Sequence, residues 1–191
     1  MTVDQPTGTV SSQRVYSGRI IAVDEDAVRY PDGSTGMLAI VRHPGASAVV
    51  PFLSDPRGAN PTILLIRQYR HAANGYLLEI PAGRLDPGET PEACAHRELK
   101  EETGCTAGRI ERLTTVFTTP GFSDEQIHLF VAMDLLSGDS AREADEFIEP
   151  VTMTMTEALS KIEQGEIRDA KTIVTLLFAA GYKTRTNDQS R

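Results

Sequence analysis

The sequence predicts an α+β sandwich, and three observations carry that prediction. Apolar runs of strand length flank a single central helix, two more helices close the chain, and a β-patterned section at residues 13–43 stands ahead of both.

Residues 1–12 are polar and are expected to form a flexible tail. The pattern then turns to strands at 16–23 (YSGRIIAV), 26–30 (DAVRY) and 37–42 (MLAIVR), with Pro31-Asp32-Gly33 between the last two. Asp-Gly between alternating segments is a hairpin signal. This front section reads as a small antiparallel sheet with no core of its own, so it must rest on the domain that follows or on a partner chain.

The main domain is expected over 44–182. Strands at 47–53 (SAVVPFL) and 62–69 (TILLIRQY) flank the turn-rich SDPRGANP, and a short strand at 77–80 leads into Pro81-Ala82-Gly83. Thr90 as N-cap, Pro91 at the first position and Gly104 just past the end bound the central helix. Two strands follow at 110–119 and 126–134 around PGFSDE, then the acidic loop SGDSAREADEFIEP, then a strand at 151–155. The closing helices are expected at 156–164, capped by Thr156, and at 170–181, with Ile173, Val174, Leu176 and Leu177 as the buried face. Residues 183–191 (KTRTNDQSR) read as a second tail.

Composition narrows the function. The 191 residues carry a net charge of −8 and a pI near 5.0, which argues against nucleic acid or an anionic membrane as the main partner. The N-terminus lacks the apolar core of a signal peptide, and the longest apolar stretch, 173–180, is far too short to span a bilayer. Cys94 and Cys105 lie about three helical turns apart, outside any C-x-x-C pattern, and cannot bridge while the helix is intact. A reduced, cytoplasmic protein is expected.

The central helix holds the chemistry. Glu98 and Glu102 are four apart and Glu98 and Glu101 three apart, so three carboxylates leave the helix on one side. Like charges crowded this way cost a helix a few tenths of a kcal/mol per pair. An oxygen-only donor set that costs stability suits a hard divalent cation, Mg²⁺ or Mn²⁺. Arg97 reads either as a guanidinium that fixes a carboxylate by paired hydrogen bonds or as an i,i+4 partner of Glu101, and Glu89 as a structural or outer group.

Gly83, five residues, Glu89, seven residues, then Arg97-Glu98-Leu99-x-Glu101-Glu102-x-Gly104 resembles the Nudix box element by element, with Cys105 where the family usually has an aliphatic residue. The resemblance implies a mixed sheet sandwiched between helices and hydrolysis of a nucleoside diphosphate linked to another moiety. It implies Mg²⁺ as cofactor, with Mn²⁺ a substitute, and Glu98, Glu101, Glu102 and the Ala82 carbonyl as ligands. Glu101 and Glu102 thereby become catalytic candidates.

Residues outside the box resemble the ADP-ribose pyrophosphatases of that family. Gln68-Tyr69-Arg70, Leu78-Glu79-Ile80-Pro81-Ala82-Gly83, Pro120 within TTPGFSDEQIHLFVA, and GEIRDAKTIVTLL extend the similarity over most of residues 15–181. By position Arg70 is implied to contact the diphosphate, Glu79 to lie beside the metal site and Pro120 to mark the substrate class. A further carboxylate, as base or ligand, is implied in the acidic loop: Glu146 by register, with Glu143 as rival. Relatives of this kind are homodimers whose N-terminal strands swap, which would explain the coreless front sheet and offers Tyr16 and Tyr30 as stacking faces. One departure bears on specificity: Leu38-Ala39 stands where many ADP-ribose enzymes carry Arg-Glu. GDP-mannose, another sugar nucleotide or an oxidised nucleotide therefore remains an alternative substrate. A sensor that binds without cleaving is disfavoured by the intact box.

Overall fold

A computed structural model describes residues 7–138 and 147–181 of the chain. These fall into two compact units. The first takes residues up to Gly45 together with Phe117–Gln126; the second takes Ala46–Val116 and the chain from Ile127 onward.

The first unit is an antiparallel sheet, β1 (Gly8–Ser17), β2 (Ala22–Arg29) and β3 (Thr35–Arg42), in the order β1-β2-β3. The Asp-Gly turn closes the β2–β3 hairpin, with the Gly33 N–H donating to Tyr30 O at 2.9 Å. Sheet formation starts five residues earlier than the expected section, because residues 8–12, read as tail, pair with β2. All ten residues of β1 are exposed. A strand that buries neither face carries no apolar alternation, so residues 8–12 show no strand pattern.

Segment 117–126 also belongs to this unit, which the expected 13–43 boundary omitted. It docks on the end of β3 through backbone bonds, Val41 N–H to Phe122 O at 2.8 Å and Asp124 N–H to Val41 O at 3.1 Å. Arg42 binds Asp24 and Asp26 of β2 and reaches Asp124 at 3.2 Å.

The second unit has two sheets. One has the order β10-β5-β6, with β5 (Thr62–Arg70) flanked antiparallel by β6 (Gly75–Glu79) and β10 (Ile148–Thr154). The other has the order β7-β4-β9-β8, from β4 (Ala46–Pro51), β7 (Ala82–Arg84), β8 (Cys105–Phe117) and β9 (Gln126–Ser137). It is mixed: β4 runs antiparallel to β7 and parallel to β9.

Every residue of β4 is buried, and its alternate side chains enter two cores. Ala48 and Val50 join Leu129, Val131, Met155, Ala158, Leu176 and Ala179, whereas Val49 joins Phe130, Ala95 and Leu99. The first core is closed by α2 (Met155–Glu163) and α3 (Ala170–Ala180), the second by α1 (Pro91–Thr103). A sheet covered on both faces reads as continuous apolar runs, as these strands do. The expected mixed-sheet sandwich is therefore found.

Two details of the closing helices differ from expectation. Thr154, not Thr156, caps α2, in a reciprocal capping box with Glu157. The buried face of α3 is Thr172, Thr175, Leu176 and Ala179, while Val174 and Leu177 are exposed. The threonines are admitted because their hydroxyls are bonded, Thr172 Oγ1 accepting from Ile80 N–H at 2.9 Å and Thr175 Oγ1 donating to Lys171 O at 2.6 Å.

Candidate active site

The central helix forms as its sequence requires. Thr90 Oγ1 accepts the Ala93 N–H at 3.2 Å, Pro91 opens the first turn, and Gly104 ends the helix at φ 75°, a left-handed conformation suited to glycine. Ser47 Oγ of β4 donates to Pro91 O at 2.7 Å and ties the helix start to the sheet. Cys94, Ala95 and Leu99 are buried, and so are the carboxylate-bearing residues Glu98 and Glu102, at 8 % and 2 % exposure. The Glu101 side chain stays 39% exposed, while the Glu98–Glu102 side of α1 faces protein.

It faces the backbone of Ala82 and Gly83. Ala82 N–H donates to Glu102 Oε2 at 3.0 Å. A Cβ on Gly83 would stand 1.8 Å from Glu98 Oε1, so the carboxylate occupies the space that any side chain at 83 would need. Cys94 Sγ lies 3.5 Å from both Gly83 O and Arg84 O, and burial pushes its thiol up to about 12.

Arg97 ties the acidic groups together. It donates to both oxygens of Glu89 (2.8 and 2.9 Å), to Glu98 Oε1 at 2.6 Å, to Glu101 Oε2 at 3.0 Å and to Arg84 O at 3.0 Å. Both readings of this arginine hold, since it makes the paired bond and the i,i+4 contact at once. The paired bond goes to Glu89, which lies outside the carboxylate face of the helix, and it holds the Glu89 carboxyl at about 2. Glu89 Oε2 also accepts the Asp86 N–H at 3.0 Å and so pins the loop before the helix.

Arg70 and Glu79 form a second group. Arg70 Nε and Nη2 each donate to one Glu79 oxygen at 2.9 Å, and Lys171 Nζ donates to Glu79 Oε2. Lys171 also lies 3.0 Å from Asp169, which caps α3 by accepting the Thr172 N–H at 3.0 Å. Glu79 is 1 % exposed. Burial opposes its charge, but the bonds from Arg70 and the nearby Lys171 outweigh burial and hold the carboxyl below its ordinary value. The Arg70 pKa is raised, chiefly by its bonds to Glu79 and in smaller part by the charges of Glu102 and Asp169.

Of the residues singled out from sequence, Ala82, Glu98, Glu101 and Glu102 are brought together, and Arg70 and Glu79 are joined to each other. Pro120 is exposed and belongs to the first unit. Glu146 and its rival Glu143 lie outside the described residues. Tyr16 and Tyr30 lie against glycines of their own unit: a Cβ on Gly18 or Gly36 would meet their rings or hydroxyls within 3.0 Å. Asp169, Lys171 and Thr172 lie in GEIRDAKTIVTLL with no individual role legible from sequence, except that a lysine in the first turn of a helix, against the helix dipole, is a signal.

Among the described residues no three Asp, Glu, His or Cys side chains gather into a ready-made metal cage. The donor chemistry nevertheless fits a hard divalent cation. Glu98, Glu101 and Glu102 offer only oxygens, and their charge exceeds that of Arg97, which is shared with Glu89 as well.

Known proteins resemble the chain along its length. The NUDIX domain matches residues 43–176, and the nucleoside diphosphate sugar hydrolase N-terminal domain matches residues 9–37. The chain is 38% identical to a methanol dehydrogenase activator of Bacillus methanolicus and 37% identical to an ADP-ribose pyrophosphatase of Bacillus subtilis (strain 168). Each match spans 89% of this chain and 90% of the relative. A crystal structure of an ADP compounds hydrolase superposes with a TM-score of 0.79 at 22% identity, covering 95% of this chain and 96% of the other, and supports the fold.

Proposed function

The chain belongs to the NUDIX family, and we propose that it hydrolyses ADP-ribose with Mg²⁺, releasing AMP and ribose 5-phosphate. As a Nudix enzyme of this kind it is a hydrolase of phosphoric anhydrides acting on nucleoside diphosphate sugars. The observation that best supports ADP-ribose is the match to the Bacillus subtilis ADP-ribose pyrophosphatase across 89% of this chain, far beyond the box alone.

The chain's own groups have distinct parts in this reading. Glu98, Glu101, Glu102 and the Ala82 carbonyl would hold the metal, for which Mn²⁺ could substitute. Arg97 keeps Glu98 and Glu101 in place, and the Ala82 N–H fixes one Glu102 oxygen. Arg70, with Nε and Nη2 on Glu79, keeps its Nη1–Nη2 edge for two oxygens of the diphosphate. Glu146, or Glu143, takes the proton of the attacking water; the water oxygen joins one phosphorus and the bridging P–O bond breaks. A bound divalent cation supplies charge neutralisation on the diphosphate and a lowered pKa for water.

The working form in this proposal is a cytoplasmic homodimer. Support for the dimer comes from β1, a ten-residue edge strand with Val10, Val15 and Tyr16 all more than half exposed, a surface that invites a second strand. Support for a reducing compartment comes from Cys94 and Cys105, both buried and unbridged. Among the described residues no helix is long and apolar enough to cross a membrane.

The test is turnover with Mg²⁺ on ADP-ribose, GDP-mannose, UDP-glucose and an oxidised nucleotide. ADP-ribose should give the highest kcat/KM, with AMP and ribose 5-phosphate as products. A higher value for GDP-mannose would move the assignment to the alternative raised by Leu38-Ala39.

A further inference from the structure

Two consecutive residues of the segment leading into the box are each held by one of two consecutive residues of α3. Lys171 binds the Glu79 carboxylate, and Thr172 Oγ1 accepts the Ile80 N–H at 2.9 Å. The helix start is itself fixed. Asp169 accepts from Thr172 N at 3.0 Å and Thr172 Oγ1 at 2.6 Å, and it lies 3.0 Å from Lys171 Nζ. The Asp169-Ala170-Lys171-Thr172 run therefore grips the strand end at two adjoining points.

The cations on Glu79 are not equivalent. The Lys171 side chain is 12% exposed and the Arg70 side chain 40% exposed, while Glu79 has 2% of its side chain in contact with solvent. Lys171 is thus the buried counter-ion and Arg70 the one open to a ligand. A carboxylate this deeply placed needs charge compensation at all times. With Lys171 present, Arg70 need use only its Nε–Nη2 edge on Glu79. Without Lys171 the arginine would be the sole counter-ion, drawn onto Glu79 and away from an incoming anion.

We infer that Lys171 is a positioning residue for diphosphate binding: by holding Glu79 from the α3 side, it leaves Arg70 oriented toward the substrate. The inference rests on the reading above that Arg70 meets the diphosphate.

Calorimetric titration of ADP-ribose into the metal-free full-length protein in EDTA, with KM and kcat measured separately in Mg²⁺, tests it. Lys171→Met should raise Kd and KM about tenfold, the scale of one charge-assisted contact, with kcat changed less than about threefold. Lys171→Arg should restore both constants. In a Glu79→Gln background, where the carboxylate shared by Arg70 and Lys171 is uncharged, Lys171→Met should have no further effect on binding. A Lys171→Met protein that binds as wild type, or a tenfold loss that persists in the Glu79→Gln background, would overturn the inference, the latter because it marks direct contact with phosphate. Should Lys171→Met fail to fold, two other proteins carry the test. Lys171→Arg must bind as wild type, and Glu79→Gln/Lys171→Met as Glu79→Gln alone; a tenfold shift in either is contrary. Inorganic pyrophosphate, titrated in parallel, separates the two readings. A wild type that binds pyrophosphate but neither binds nor cleaves ADP-ribose contradicts the substrate assignment and leaves the Lys171 comparison readable.

Discussion

Arg97 holds Glu89 through two hydrogen bonds, Nε to Oε1 at 2.8 Å and Nη2 to Oε2 at 2.9 Å. Its Nη1 donates to Glu98 and Glu101, and Nη2 also to Arg84 O. One guanidinium therefore links the loop before α1 to the acidic face of α1, and the carboxylate cluster depends on it for both charge balance and orientation.

That pairing has a pH signature. The Glu89 carboxyl is held at about 2, below the ordinary 4.5, because the charged form is the one Arg97 binds. A depressed carboxylate pKa stabilises the native state fully above the ordinary value and progressively less as pH falls toward the folded value. Urea unfolding of wild type and Glu89→Gln should therefore differ most near neutrality, with the gap narrowing below about pH 4.5. A gap independent of pH would show that the pair contributes no charge-dependent stability.

Gly83 is required by its neighbour rather than by its own backbone. A Cβ there falls 1.8 Å from Glu98 Oε1, and the atom that must yield is the end of a flexible side chain. Gly83→Ala should fold, with Tm within a few degrees of wild type, yet lose roughly 10²-fold in kcat, the scale of an ångström-sized misplacement of a catalytic group. Unimpaired turnover would mean that the position of Glu98 does not matter.

The exposed β1 strand predicts a dimer whose interface includes the N-terminal sheet. Light scattering on the full-length protein should give twice the 20.8 kDa chain mass, and deletion of residues 1–42 should give insoluble or inactive protein. A stable, active monomer after that deletion would refute a role for the sheet in assembly.

The parts of the fold that follow side-chain periodicity were legible in the sequence. Fully buried β4 and the buried stretch Ile63-Leu64-Leu65-Ile66 of β5 read as apolar runs, and Thr90, Pro91 and Gly104 marked α1 by known capping chemistry. Strand β1 was not legible at residues 8–12, since an exposed edge strand is held by backbone bonds that any sequence can make. The α3 face was misassigned because Thr172 and Thr175 are buried as bonded polar groups, while apolar Leu177 is left outside. At the site, Glu79 stands in the apolar run Leu77-Leu78-Glu79-Ile80, where a carboxylate needs a cation or a hydrogen-bond donor as partner. That Lys171 would supply one across 92 positions was not legible, because such a contact exists only once the helix is docked.

Turnover of ADP-ribose by Glu102→Gln bears most directly on the central claim. Glu102 is buried against the Ala82 N–H, and glutamine keeps its size while removing the charge that would bind metal. With saturating Mg²⁺ the variant should keep the wild-type fold and lose roughly 100-fold or more in kcat, since even groups that merely orient a metal ligand are worth 10–100-fold. A folded Glu102→Gln protein with turnover near wild type would contradict the assignment of the metal and the chemistry to this cluster.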